Sequence, residues 1–191
     1  MTPSLGLRDL EVLAGTRVVI GPLSLEHNPG PVLWLTGENG AGKSSLLRAI
    51  ARGAQQRGRV VLSPRDARAL CYYAPTMHFA AGVTVRDWMA LHERWQPESH
   101  HGELVDALLP AGVSGRVVRL STGEAKRLIL WSLLRTRRSF YILDEPFEHL
   151  SPTAKGTLKS ILAALAREAV VVVATNQDIP ADVPARVLEL D

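Results

Sequence analysis

The chain has 191 residues, 46% hydrophobic and 21% charged, which suits one folded core and excludes a disordered segment. The formal net charge is only +3, and the basic residues are scattered apart from RTRR at 135–138, which argues against a nucleic-acid partner. No apolar run nears the roughly 20 residues of a membrane span, the first residues do not read as a signal peptide, and the single cysteine, Cys71, excludes an internal disulfide. Within the apolar run LCYY it is expected to be an inert buried thiol.

In chain order, LGLRDLEVL, TRVVI and PLSLE read as three short strands, with a turn at Ala14-Gly15 between the first two. VLWLT (32–36) reads as a buried strand. A glycine-rich turn follows, then the helix KSSLLRAIA with Leu46, Leu47 and Ile50 on one face. RVVLS and LCYY are further strands. From about Ala74 to Val118, Pro, Gly and His interrupt two short amphipathic helices, VRDWMALHERW and ELVDALL. Then come the helix EAKRLILWSLLR, the strand FYILD, the helix SPTAKGTLKSILAALARE, the strand VVVAT and a last strand RVLEL. Strands alternating with helices predict an α/β fold around a parallel sheet, with an antiparallel β subdomain at the start. The expectation is one domain over 1–191, with residues 1–75 and 119–191 as β subdomain and nucleotide core and about 76–118 as a small helical subdomain.

Between the buried strand and the first helix lies Gly37-Glu38-Asn39-Gly40-Ala41-Gly42-Lys43-Ser44, followed by Ser45. This is the G-x-x-x-x-G-K-[ST] pattern. Its glycines let backbone N–H groups turn toward phosphate oxygens, and the helix adds its positive end. Lys43 is expected on the β- and γ-phosphates of ATP and Ser44 on Mg²⁺. FYILDEP supplies a second half: Asp144 for the metal and Glu145 as general base or water-orienting group. A third piece is Leu120-Ser121-Thr122-Gly123-Glu124, which opens a helix and offers a second anion site. Two phosphate-binding helix starts in one chain suggest a ligand shared between two chains.

GENGAGKSS, LSTGE, ILDEP and the polar tip of VVVATNQD stand in an order that resembles the ATP-binding subunits of ABC transporters. The resemblance implies a P-loop fold of the ABC type and a head-to-tail dimer with a second ATPase chain, identical or homologous, sandwiching two ATP molecules. It implies that Ser121 and Gly123 contact the γ-phosphate bound by the partner chain. Hydrolysis would then drive membrane-spanning transporter subunits from the cytoplasmic face of the membrane. Within the family, the DEPF run and the T-x-Q of ATNQD are similar to the small haem-export ATPases of cytochrome c maturation.

Several positions depart from the family pattern. Thr76 stands where the family has a metal- and partner-sensing Gln, Ser151 where it has an Asp, Asn176 where a His meets the γ-phosphate, and Thr122 where it has a second signature Gly. No aromatic near residues 13–18 can stack on adenine, and Arg17 is the substitute considered. These changes touch hydrolysis more than binding, so slow turnover of the isolated chain is expected. An ATP-gated dimerising module with little hydrolysis is the competing reading.

Elsewhere, Val85, Trp88, Met89, His92 and Trp95 share helical spacing, as helical-subdomain core or as a groove for a membrane subunit. His100-His101 reads as a solvated loop, His149 as a surface residue near the catalytic loop, and Trp131 as packing for the signature helix.

Overall fold

The computed structural model describes residues 2–53, 55–64, 69–80, 82–95, 100–109 and 112–190, with the side chain of Trp95 excepted. The chain forms two compact units, one of Met1–Ala74, Arg138–Pro146 and Leu162–Asp191, the other of Pro75–Arg137 and Phe147–Ile161.

The first unit holds both sheets. β1 (Ser4–Ala14), β2 (Arg17–His27) and β4 (Gln56–Ser63) form an antiparallel sheet in the order β2-β1-β4. TRVVI and PLSLE are thus one strand rather than two. The register steps from Leu10 opposite Leu23 to Val12 opposite Ile20, so Gly21-Pro22 forms a bulge. An edge strand tolerates this because Pro22 has no N–H to give a neighbour. Gly21 is required there: its φ is 120°, and a Cβ would lie 2.4 Å from the Leu10 carbonyl oxygen.

The five-stranded sheet is wholly parallel, in the order β5 (Leu70–Tyr73), β6 (Phe140–Asp144), β7 (Val170–Ala174), β3 (Val32–Thr36), β8 (Ala185–Glu189). β6 and β7 are buried along their whole length, as continuous apolar runs in a sheet covered on both faces should be. Leu46, Leu47 and Ile50 of α1 (Lys43–Arg52) share one cluster with Leu33, Leu35, Ile142 and Val172. Ala174 of β7 lies opposite Leu35 on one side and Asp144 on the other. The carboxyl ends of β3, β7 and β6 are therefore level and adjacent, the place where open α/β sheets bind ligands.

Cys71 is buried in β5, and burial pushes its thiol up to about 12. It is an inert packing residue. Among the described residues no helix is long and apolar enough to cross a membrane.

The second unit contains α2 (Val85–Trp95), α3 (Gly102–Asp106), a 3-10 turn at Val117–Arg119, α4 (Thr122–Leu134) and the first turns of α5 (Pro152–Ala166). The Thr84 hydroxyl accepts from the Asp87 N–H at 3.1 Å and donates to the Asp87 carboxylate at 2.6 Å, fixing the start of α2. An aromatic ladder runs through the unit: Phe79 on Trp88 at 5.0 Å, Trp88 on His92 at 5.4 Å, and His92 on Trp131 at 5.7 Å. The fully buried Trp131 donates through Nε1 to Asp106 at 2.7 Å, joining α4 to α3. Arg135, the first residue of RTRR, lies 5.0 Å over the Trp131 ring. The spaced residues of α2 divide: Val85 is buried, Trp88 and His92 join the ladder, and Met89 lines an open groove with Ala90, Val113 and Ser114. The side chain of Trp95 lies outside the described ones. His100 and His101 are half-buried rather than solvated, and the His100 N–H donates to the Arg135 carbonyl at 2.8 Å.

Candidate active site

The loop after β3 turns on three glycines in the left-handed region, Gly37, Gly40 and Gly42, with φ of 139°, 95° and 91°. Two of them also permit close approach. A Cβ on Gly37 would sit 2.2 Å from the Leu190 carbonyl oxygen, and one on Gly42 would sit 2.8 Å from Ile20 Cδ1. Gly42 precedes α1 as its N-cap and supplies no side-chain cap, and no acidic residue stands in the first turn. The first N–H groups and the positive end of α1 thus have no N-cap side chain and no first-turn carboxylate to offset them.

Lys43 is buried. Its ammonium turns back over the loop and donates to the carbonyls of Gly37 at 2.7 Å and Glu38 at 2.9 Å. Ser44 is exposed, with its carbonyl accepting from Arg48 Nε at 3.1 Å, while the Ser45 hydroxyl accepts from the Arg48 guanidinium at 3.1 Å. Glu38, Asn39 and Gly40 are exposed and Ala41 half-buried.

Asp144 ends β6 and is buried. The neighbouring Tyr72 phenol is raised above its ordinary value, chiefly by burial and then by the Asp144 charge. Glu145 follows with φ of 46°, a left-handed conformation that a non-glycine residue adopts only when its surroundings hold it. Its N–H donates to the Ala174 carbonyl at 2.9 Å, and its carboxylate accepts from the Asn176 N–H at 3.2 Å. Asn176 also donates through Nδ2 to Asn39 Oδ1 at 2.6 Å. The residues 37–45, Asp144, Glu145 and Asn176 thus meet at one end of the parallel sheet. Sequence reasoning missed this amide pair and the backbone tie to Glu145.

Thr76, Ser121 and Gly123 belong to the second unit. Thr76 is exposed after β5. Ser121 closes a capping box: its hydroxyl accepts from the Glu124 N–H at 3.3 Å and donates to the Glu124 carboxylate at 2.7 Å, which also accepts from the Ser121 N–H at 2.9 Å. Those hydrogen bonds, the hydroxyl first, hold the Glu124 carboxyl below its usual range. Gly123 approaches the chain so closely that a Cβ would lie 2.7 Å from the His149 carbonyl oxygen. His149 itself is exposed, with φ of 57°. Ser151 caps α5 by accepting from the Ala154 N–H at 3.3 Å, with Pro152 in the first helical position.

A parallel sheet with a glycine-turned, lysine-bearing loop beside paired carboxylates defines a P-loop nucleotide hydrolase. The chain belongs to the ABC transporter family, whose model matches residues 20–148. It is 31% identical to the cytochrome c biogenesis ATP-binding export protein CcmA of Aromatoleum aromaticum, over 99% of this chain and 96% of that one. The CcmA of Nitrosomonas europaea is 30% identical over 90% and 88%. A solved structure of a putative ABC transporter ATP-binding protein from Pyrococcus furiosus superposes with a TM-score of 0.82, at 20% identity over 98% of this chain and 97% of that one, a likeness of fold alone. The chain is an ABC ATPase subunit resembling the CcmA export proteins, and the family implies ATP binding and hydrolysis. These comparisons favour that reading over an ATP-gated module without turnover. ATPases of this family pair with one another and work with membrane transporter subunits.

Proposed function

We propose that this chain energises an export system of the cytochrome c biogenesis type, with haem or a haem-related cargo chosen by its membrane partner. It would work on the cytoplasmic face of the membrane. The observation that carries the hydrolytic reading is the Glu145 carboxylate, fixed by the Asn176 N–H at 3.2 Å in the same unit as the Lys43 loop.

In this reading Gly37, Glu38, Asn39, Gly40, Ala41, Gly42, Ser44 and Ser45 wrap the phosphates of ATP. Lys43 exchanges its two carbonyl partners for β- and γ-phosphate oxygens. Ser44 and Asp144 offer the hard oxygen donors that Mg²⁺ prefers, at helix and strand ends of the same unit. Bound there, Mg²⁺ would neutralise charge on the phosphates. Glu145 orients the attacking water and accepts its proton, and Asn176 donates to the departing phosphate. Ser121 and Gly123 meet the nucleotide of a second ATPase chain. The base rests in the groove lined by Val18, Ile20 and Leu188, whose Ile20 abuts Gly42.

Three positions lower the rate. Asn176 is neutral and shorter than His, Thr76 lacks an amide, and Ser151 supplies a cap without a charge. Losing one charge-stabilising contact costs about 10² in turnover.

The test is ATP turnover of the full chain, alone and co-purified with its membrane protein. The isolated chain is expected to turn over slowly and the complex faster. Glu145→Gln should lower turnover of the complex by about 10³ and keep nucleotide binding. Turnover that survives Glu145→Gln, or no co-purifying polytopic membrane protein, would reject the reading.

A further inference from the structure

Ser121 has two hydrogens to give, one on its backbone nitrogen and one on its hydroxyl. Both go to the same atom: Glu124 Oε2 accepts from the hydroxyl at 2.7 Å and from the N–H at 2.9 Å. The Glu124 N–H in turn donates to the Ser121 hydroxyl at 3.3 Å. The groups that a phosphate oxygen would take from Ser121 are therefore already taken, and by an anion. The backbone beside them is held, with Gly123 so near the His149 carbonyl oxygen that a Cβ would meet it at 2.7 Å. The part free to move is the Glu124 side chain, whose bonds to Ser121 lie at the surface. Arg127 adds a smaller field that favours the charged carboxylate, while its guanidinium is held by the Leu108 and Leu109 carbonyls at 2.6 and 3.0 Å.

We infer that the Glu124 carboxylate is an electrostatic gate on the start of α4: it must release Ser121 before the terminal phosphate held by a second chain can bind there, and so it raises the ATP concentration at which two chains pair. The inference rests on the reading of Ser121 and Gly123 as contacts for a partner chain's nucleotide. A carboxylate and a phosphate repel, and both ask for the same hydrogens. Glutamine in this place keeps an oxygen for both Ser121 donors and carries no charge. Aspartate keeps the charge on a shorter arm.

The test is sedimentation of the full-length chain with Mg²⁺ and a non-hydrolysable ATP analogue, reading the analogue concentration that pairs half of the chains at about 50 mM and about 500 mM salt. At the lower salt Glu124→Gln should reduce that concentration about five- to tenfold, and at the higher salt the gap should narrow to about twofold as the repulsion is screened. Glu124→Asp should stay within about twofold of the wild type at both, because it keeps the charge. Without nucleotide, Glu124→Gln should lower the unfolding temperature by no more than Ser121→Ala does, since it keeps the capping acceptor. A Glu124→Gln chain that pairs no more readily than the wild type, a gain that Glu124→Asp shares, or a gain that salt leaves untouched would overturn the gate and leave the two-chain site standing. Chains that stay single in every variant would overturn the two-chain reading of Ser121 and Gly123, and the gate with it.

Discussion

Two helices in this chain start in ways that suit phosphate, and they treat their free N–H groups differently. α1 begins after Gly42 without a side-chain cap or an acidic first turn. α4 begins with the box of Ser121 and Glu124, in which the Ser121 hydroxyl takes up the Glu124 N–H and the Glu124 carboxylate takes up the Ser121 N–H. Both ends carry the same partial positive charge. One has no acidic side chain in its first turn; the other has the Glu124 carboxylate there. A helix start that reads as an anion site in sequence is therefore two different things in structure: a primed site, or one whose cap must yield before an outside phosphate can take the same donors.

The sharpest test of this contrast separates affinity from stability. Lys43→Ala should cost about a hundredfold in ATP affinity, through loss of its charge-assisted contacts with the β- and γ-phosphates, with little change in unfolding temperature. Gly123→Ala should act on the fold, because the added methyl meets the His149 carbonyl at 2.7 Å. Overpacking of this kind costs about 2 kcal/mol, or roughly 4–8 °C in a chain of this size. Ser121→Ala removes the cap and should cost about 1 kcal/mol, a few degrees by scanning calorimetry. If Ser121→Ala leaves the unfolding temperature unchanged, the capping box is not holding α4 and the contrast fails.

What could be read from sequence follows from how local each signal is. β6 and β7 announce themselves as apolar runs, and the P-loop by glycines whose positive φ the turn demands. β2 misled because Gly21-Pro22 is a stop signal in most strands and a bulge on this edge. Partner choice at the site was invisible. Nothing near Lys43 says that its ammonium turns back to Gly37 and Glu38. The Asn39–Asn176 contact joins residues 137 positions apart, brought level only by the register of β3 and β6 on Ala174. The capping box was written in sequence as Ser121 and Glu124, three residues apart, and the reading of LSTGE as an anion site did not draw it.

The smallest expected effect isolates that carboxylate by pH. Hydrogen bonds from Ser121 hold the folded-state pKa of Glu124 below its ordinary value of 4.5. A depressed carboxyl pKa stabilises the fold above the unfolded-state value, and that contribution is lost as pH falls through the folded-state value. α1 has no titrating group in the equivalent place. His27 and His92 are both lowered, chiefly by burial, so the unfolded chain takes up their protons first and overall stability declines as pH drops below about 6.5. That decline is common to the wild type and to Ser121→Ala, and it cancels in their difference. The difference in unfolding temperature between the two should be full at pH 6–7 and shrink below about pH 4.5, as Glu124 takes a proton. A difference that stays constant down to pH 3.5 would show that the Glu124 charge contributes nothing to the cap, and the second helix start would then be as open to phosphate as the first.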